Sequence, residues 1–505
     1  MTTPENPIPT TARKKLPPVI LAMVVLAALV GLFYLEEDVR GKWAWEQFKR
    51  AEEAKGEKFA LTAVAPPPVP DNQNFAMAPI LRVAFDYVHT TNGQKWRDTN
   101  AWEHLMSINP GQVTSVLGDP EQGALADLDA VAKFYRGNTN YPQSADSGNA
   151  ADVVLAALNK FAPDLQQLRD AAAARPLSRF PIEYSYEPPA EILLPHLACV
   201  KGITLVCQLR AIAELENHQT SEAFADLQLA FRMSDSIRDE PILIDHLVRL
   251  ATVTIGVQGI REGIARHAWT QPQLQEFEKY LAKLDLLHEY EQAMRGERAL
   301  NIGTMDYLRR HNGNMMGSIP ASDSPQSHHD AFYLAPGGWY YQNMRLLGEM
   351  YRDYILPIID ETNRVVSPDL SGQMHRNLDE RHLGPYNLYV KLVLPPLAAA
   401  SIRTARAQTW VDEARVACAI ERYRLAHKDL PDTLTALTPQ YIRKIPADLF
   451  DGQPLRYKFD TNGTYLLYSI GWNQIDDGGV PGLRTGSTPH ANAAKGDWVW
   501  KFPAK

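Results

Sequence analysis

LVCQLRAIAELENHQTSEAFADLQLAF, from Leu205 to Phe231, decides how the larger part of this chain folds. Leu205, Leu209, Ile212 and Leu215 recur at three- and four-residue steps and so share one helical face. Asn217-His218 breaks the period. Thr220 then reads as an N-cap and Glu222 as a first-turn acid. Ala223, Phe224, Leu227, Ala230 and Phe231 resume the period. The stretch predicts two antiparallel helices burying their stripes against each other. No copy of the unit recurs at a fixed period, so ordinary helix packing is expected rather than a solenoid.

The pattern extends outward from this pair. Pro241 suits the start of a further helix through Leu243, Leu247, Leu250 and Ile255. Thr270-Gln-Pro-Gln273 has capping-box spacing and predicts one long helix towards Leu300. Helical periodicity returns over 341–359, where the Tyr and Trp residues read as core, and over 386–426. The second run is expected to break at Pro395-Pro396, because proline lacks a donor and clashes with the preceding turn. Residues 312–338, rich in Gly, Ser, Pro and His, read as a surface loop. The expected fold class is mainly α: an N-terminal transmembrane helix, a body of helical hairpins over 81–400, and a small C-terminal α+β domain with a short antiparallel sheet over 401–505.

The chain has 505 residues, 45% of them hydrophobic and 22% charged, with a net charge of -8. That composition is ordinary for a folded protein and lacks the basic surplus of a nucleic-acid binder. The cysteines, Cys199, Cys207 and Cys418, are too few for a disulfide framework. Cys199 and Cys207 lie about 12 Å apart along one helix, too far to bridge. Buried thiols are expected, with a Cys207–Cys418 pair left open.

No Gly-x-Ser-x-Gly elbow, phosphate-binding loop or His-Glu-x-x-His helix occurs. His328-His329-Asp330 sit side by side on the expected loop, where adjacent side chains seldom converge on one ion. His196, His246 and His288 fall on helical faces near apolar residues and read as structural or surface histidines. No reaction follows from these residues.

Residues 16–35 read LPPVILAMVVLAALVGLFYL. This run has the length of a membrane-spanning helix and ends in bulky Leu32-Phe33-Tyr34-Leu35, unlike a cleavable signal. Arg13-Lys14-Lys15 precede it and Glu36-Glu37-Asp38 follow. The positive-inside rule therefore places residues 1–15 in the cytoplasm and the chain from residue 36 outside it. Residues 36–80 read as an amphipathic juxtamembrane helix and a proline-rich spacer, Ala65 to Pro79, held extended by Pro66-Pro67-Pro68.

The C-terminus carries an ordered set of motifs. A helix ending in Ala417–Arg424 is followed by Leu430-Pro431, Ile445-Pro446-Ala-Asp448 and Asp451-Gly452-Gln-Pro454-Leu-Arg-Tyr457. Then come Tyr468-Ser469-Ile-Gly471 and Asp476-Asp477-Gly478-Gly479. Residues 455–459 and 464–470 are β-rich around Asp460-Thr-Asn-Gly463, a hairpin signal, and Asp497-Trp-Val-Trp-Lys501 alternates as a third strand. This order resembles the C-terminal domain of the major pseudopilin of type II secretion systems. It departs from that family by one extra residue after Asp448 and by an anchor almost 400 residues upstream. The resemblance implies a calcium loop with ligands at Asn473, Asp476 and Asp477, closed by Asp497 from the last strand. The whole chain also resembles large membrane-anchored bacterial envelope proteins, which implies the inner membrane with the bulk in the periplasm. The expected function is that of a structural or interaction protein meeting an envelope partner. The alternatives are a part of a secretion or pilus-like machine and an envelope hydrolase with a cavity in the helical body.

Overall fold

Thirty-six uninterrupted helical residues, α1 (Pro18–Glu53), begin the computed structural model, which describes residues 17–90, 93–113, 124–143, 148–311, 313, 335–460, 463–483 and 491–502. The apolar part of α1 is exposed all round, Leu26, Leu29 and Leu32 included, and is long and apolar enough to cross a membrane. Beyond it the same helix becomes a stem. Glu37, Gly41, Trp45 and Glu52 are buried at four- and seven-residue steps, so one face docks on the body. The expected span and juxtamembrane helix are thus one rod. Two other stretches, Pro189–Glu216 and Leu243–Ala265, match a span in length and hydropathy, but 61% and 56% of their apolar windows are buried inside the protein.

The body is built as the sequence pattern implies, with local changes. A ribbon of β1 (Tyr87–Thr90) and β2 (Gly93–Trp96) precedes four short helices: α2 (Thr99–Ser107), α3 (Leu128–Arg136), α4 (Ala150–Leu158) and α5 (Ala162–Ala174). The expected hairpin follows as α6 (His196–Glu216) and α7 (Thr220–Asp235), with Gln219 rather than Thr220 at the cap position. Next comes α8 (Leu243–Ala265). The capping box of Thr270 and Gln273 forms, but it opens only α9 (Gln271–Leu281). A turn intervenes before α10 (Leu286–Arg310), where the Asp285 side chain accepts from the His288 amide. Leu281, Leu284 and Leu286 are all buried, so the apolar pattern runs through the turn and hides it. The overlooked signal was the N-cap Asp285.

After α11 (Gly337–Met350) come β3 (Ile359–Asp360) paired with β4 (Val365–Val366), then α12 (Pro368–Glu380) and α13 (Leu388–His427). The last is a 40-residue helix that runs straight through Pro395 and Pro396, contrary to the expected break. Both prolines and Leu392 lie on its exposed side, so the carbonyls that lose their partners can reach water. The expected boundary at residue 400 falls inside this helix.

The proline-rich stretch is docked rather than free at its C-terminal end. Phe75, Ala76 and Ala78 are fully buried. Asn74 joins them to the body: its amide donates to the Arg179 carbonyl at 2.8 Å, and its oxygen accepts from the Arg179 amide at 2.8 Å.

The C-terminal sheet is antiparallel, ordered β5 (Arg456–Phe459), β6 (Tyr465–Ser469), β9 (Trp498–Lys501), with Tyr457 opposite Leu467 and Leu467 opposite Trp500. A second ribbon pairs β7 (Pro481–Leu483) with β8 (Ala491–Gly496). Leu467 and Trp500 belong to one apolar cluster with Leu227 of α7, Trp269 and Cys418. Trp498 and Ile470 share another with Trp45 of the stem and Tyr290 of α10. The sheet is therefore cored into the helical body. All three cysteines are buried free thiols, which excludes the Cys207–Cys418 pair.

Candidate functional site

Three places in the fold bear on the candidate sites. The first seats the membrane stem. Arg295-Gly-Glu-Arg298 in α10 has one task per residue. Arg295 and Arg298 both bind the Glu57 carboxylate, just past α1, the latter at 2.5 Å. Arg298 also donates to the Lys58 carbonyl at 3.1 Å and stacks over Phe59. Glu297 accepts the Leu243 amide at 3.2 Å, capping the start of α8. Gly296 leaves room for Pro241, whose carbonyl oxygen would lie 1.6 Å from any added Cβ. The Arg295 and Arg298 charges hold the Glu57 carboxyl below its usual range despite partial burial, which opposes them.

The second place is a buried trio. His196 is the first residue of α6, Glu240 lies in the turn after α7, and Asp245 is in the first turn of α8. Pro195 holds the N-cap position of α6, and Pro241 lies two residues before the start of α8. A His196 nitrogen and one oxygen each of Glu240 and Asp245 lie within 4.8 Å of one another. Among the described residues no other group of three His, Cys, Asp or Glu converges so closely. His196 Nε2 meets Glu240 Oε2 at 2.9 Å, while its Nδ1 has no hydrogen-bond partner and no side chain donates to Asp245, which meets only the Ile242 backbone amide. The rings of Phe180 and Phe85 flank the imidazole at 4.2 and 5.2 Å. Burial pushes the carboxyls of Glu240 and Asp245 well up, helped at Asp245 by the Glu240 charge. Burial lowers His196 to about 4, against the pull of Asp245. Sequence reasoning placed His196 on a packed face and did not connect it to Glu240, 44 positions away. Of the other histidines, His246 is buried and bonded to the Thr404 hydroxyl, and His288 is half exposed against Glu361. His328, His329 and Asp330 lie outside the described residues.

The third place is the C-terminal loop, which carries all four sequence-selected residues. Asp448 organises its root: one oxygen accepts from the Phe450 amide and the Ser469 hydroxyl, the other from the Ile470 amide and Arg456. This explains why Ile-Pro-Ala-Asp and Tyr-Ser-Ile-Gly occur together. Asn473 donates to Asp477 at 2.9 Å, and Asp476 accepts the Gly478 amide at 2.9 Å. Asp497 is buried, and its oxygens accept the amides of Asp477 and Gly479 at 3.2 and 2.5 Å. Gly478 and Gly479 have φ of 76° and 86°, which lets consecutive amides face inward. Calcium wants six to eight oxygens. Here Asp497 spends both of its oxygens on amides, and the Asn473 side-chain oxygen accepts the Ile475 amide at 3.3 Å. Lys458 donates to the Gly478 carbonyl at 2.9 Å, and Arg456 lies 3.8 Å from Asp476. The loop closes on its own donors and cations, and this donor set fits calcium poorly.

A groove of about 590 Å³ lies between α6, α8 and α13, and a larger one of about 750 Å³ is lined by Asp235, Glu276 and Glu278. Leu205, Leu250 and Ile255 give the first apolar walls, and Lys201, Arg403 and Arg406 line it with positive charge. Among the described residues its lining has no histidine, carboxylate or cysteine.

Comparison with known proteins yields no matching family model, and no curated protein or solved structure matches the chain.

Proposed function

We propose that this chain is a single-pass bacterial inner-membrane protein that works by interaction rather than by catalysis. Its N-terminus faces the cytoplasm and its body, from residue 36 onward, stands in the periplasm. One observation carries this reading: α1 is exposed along its whole apolar length and then, without a break, buries Gly41 and Trp45 in the body. A rod built this way holds the body at a fixed attitude to the membrane, as a scaffold needs, and does not tether it loosely. Arg13-Lys14-Lys15 before the span and Glu36-Glu37-Asp38 after it support the orientation. The partner is an envelope protein, and the C-terminal sheet region is the module that resembles a known assembly domain.

Protease added to intact spheroplasts tests the orientation. The expected result is loss of the body while a cytoplasmic control protein survives. Protection until the cells are lysed would reverse it. The secretion-machine reading rests on the order of C-terminal motifs, and co-purification with pseudopilins would favour it.

A further inference from the structure

We infer that His196, Glu240 and Asp245 form a structural site for a first-row divalent transition metal such as zinc or manganese. The trio supplies one nitrogen and two carboxylates from three separate elements, all within 4.8 Å of one another. Ligands on one ion at 2.0–2.2 Å from the metal sit roughly 3–4 Å apart, so only a small contraction is needed. Asp245 is 0% exposed, and no side chain donates a hydrogen bond to either oxygen; the backbone amide of Ile242 alone lies against it. A buried carboxylate in that state costs several kcal/mol unless a cation or proton meets it. Among the described residues no arginine or lysine makes an ion pair with either carboxylate; Glu240 feels the like charge of Asp239, and Asp245 those of Glu240 and Glu297. The Tyr184 hydroxyl is also buried and unpartnered, and it senses the charge of both acids, so it stands ready as a further oxygen.

Nitrogen with carboxylate favours zinc, manganese or iron over calcium and magnesium, which prefer all-oxygen shells. With His196 1% and Glu240 7% exposed, substrate has no open approach, so the ion would be structural. It would displace the carboxyl protons of Glu240 and Asp245, releasing both to solvent, and would fasten the start of α6 to the turn before α8. The geometry of Gly296 against Pro241 holds that turn in place from the other side.

The test is metal analysis of the full chain purified in mild detergent, followed by chelation and thermal unfolding with Zn²⁺ or Mn²⁺ added alone. About one equivalent of metal per chain is expected, with the melting temperature of the stripped protein rising when the ion is restored. Asp245→Asn and Glu240→Gln keep shape and should abolish both the bound metal and the response. The opposite pattern overturns the site: no metal above background, no response of the stripped chain to either ion, and Asp245→Asn raising the melting temperature by removing an unpaired buried acid. Near-ultraviolet circular dichroism shows that each variant remains folded.

Discussion

Gly41 and Gly338 touch backbone to backbone: a methyl group on Gly41 would lie 2.5 Å from the Gly338 carbonyl oxygen, and one on Gly338 would lie 2.0 Å from the Glu37 carbonyl oxygen. The Gly338 amide also donates to Asp38 at 2.7 Å. This is where the membrane helix becomes part of the folded body.

Gly338→Ala should force α11 off the stem. Overpacking of this kind costs about 1–3 kcal/mol. Gly31→Ala is the control, because nothing lies within 4 Å of Gly31 and the residue sits in the exposed apolar span. Denaturant unfolding of the full chain in detergent should separate the two variants. Equal stability of both would show that the stem does not dock in this way.

Glu57→Gln should unseat the same region from its other end. Arg298, 2% exposed, would keep the Lys58 carbonyl, the Phe59 ring and at most a neutral amide oxygen, and would lose the negative charge it faces. Leaving a buried cation without its carboxylate costs about 3 kcal/mol. Adding Arg298→Met should return part of that loss, and a double-mutant cycle measures the coupling. Strict additivity would mean that the contact contributes nothing.

His246 gives the body a defined response to acid. Its neutral ring bonds the Thr404 hydroxyl at 2.9 Å, while burial first, and then the nearby Arg249 charge, lower it to about 3. A histidine lowered in the folded state takes its proton more readily when unfolded. Stability is therefore fully present above the unfolded value of 6.5 and falls as pH drops below it. For one such group the loss between pH 7.5 and 5.5 is about 1.4 kcal/mol. His246→Gln should lack this component, so the stability gap between it and the parent should narrow by that amount. A gap that stays constant across the two pH values would contradict the assignment.

Calcium titration by calorimetry examines the C-terminal loop. With Asp497 clasping two amides and Lys458 on the Gly478 carbonyl, no saturable heat is expected up to millimolar calcium. Asp497→Asn should instead destabilise the loop with or without the ion. Saturable heat that is lost on changing Asp476 and Asp477 to alanine would restore the calcium reading.

The helical hairpin at 205–231, the exposed span and the three strands were all legible in the sequence, because each is specified by short-range periodicity and turn chemistry. Leu205 to Leu215 sort onto one face whatever surrounds them, and Asp460-Thr-Asn-Gly463 separates two β-rich runs within a few residues. The capping box at Thr270 formed for the same reason. What failed locally failed where tertiary exposure overrode propensity: Pro395-Pro396 stayed inside α13 because water reaches that side of the helix. The trio of His196, Glu240 and Asp245 was not legible at all. Its members are scattered over 50 positions of a chain whose residues at that distance meet only when α6, α7 and α8 pack together. The sequence by itself determined the hairpin of α6 and α7, the long apolar helix at the N-terminus and the hairpin of the sheet. The tertiary structure alone decided that the stem, the body and the sheet share their cores, and which buried acids face one another, because burial and convergence are properties of packing.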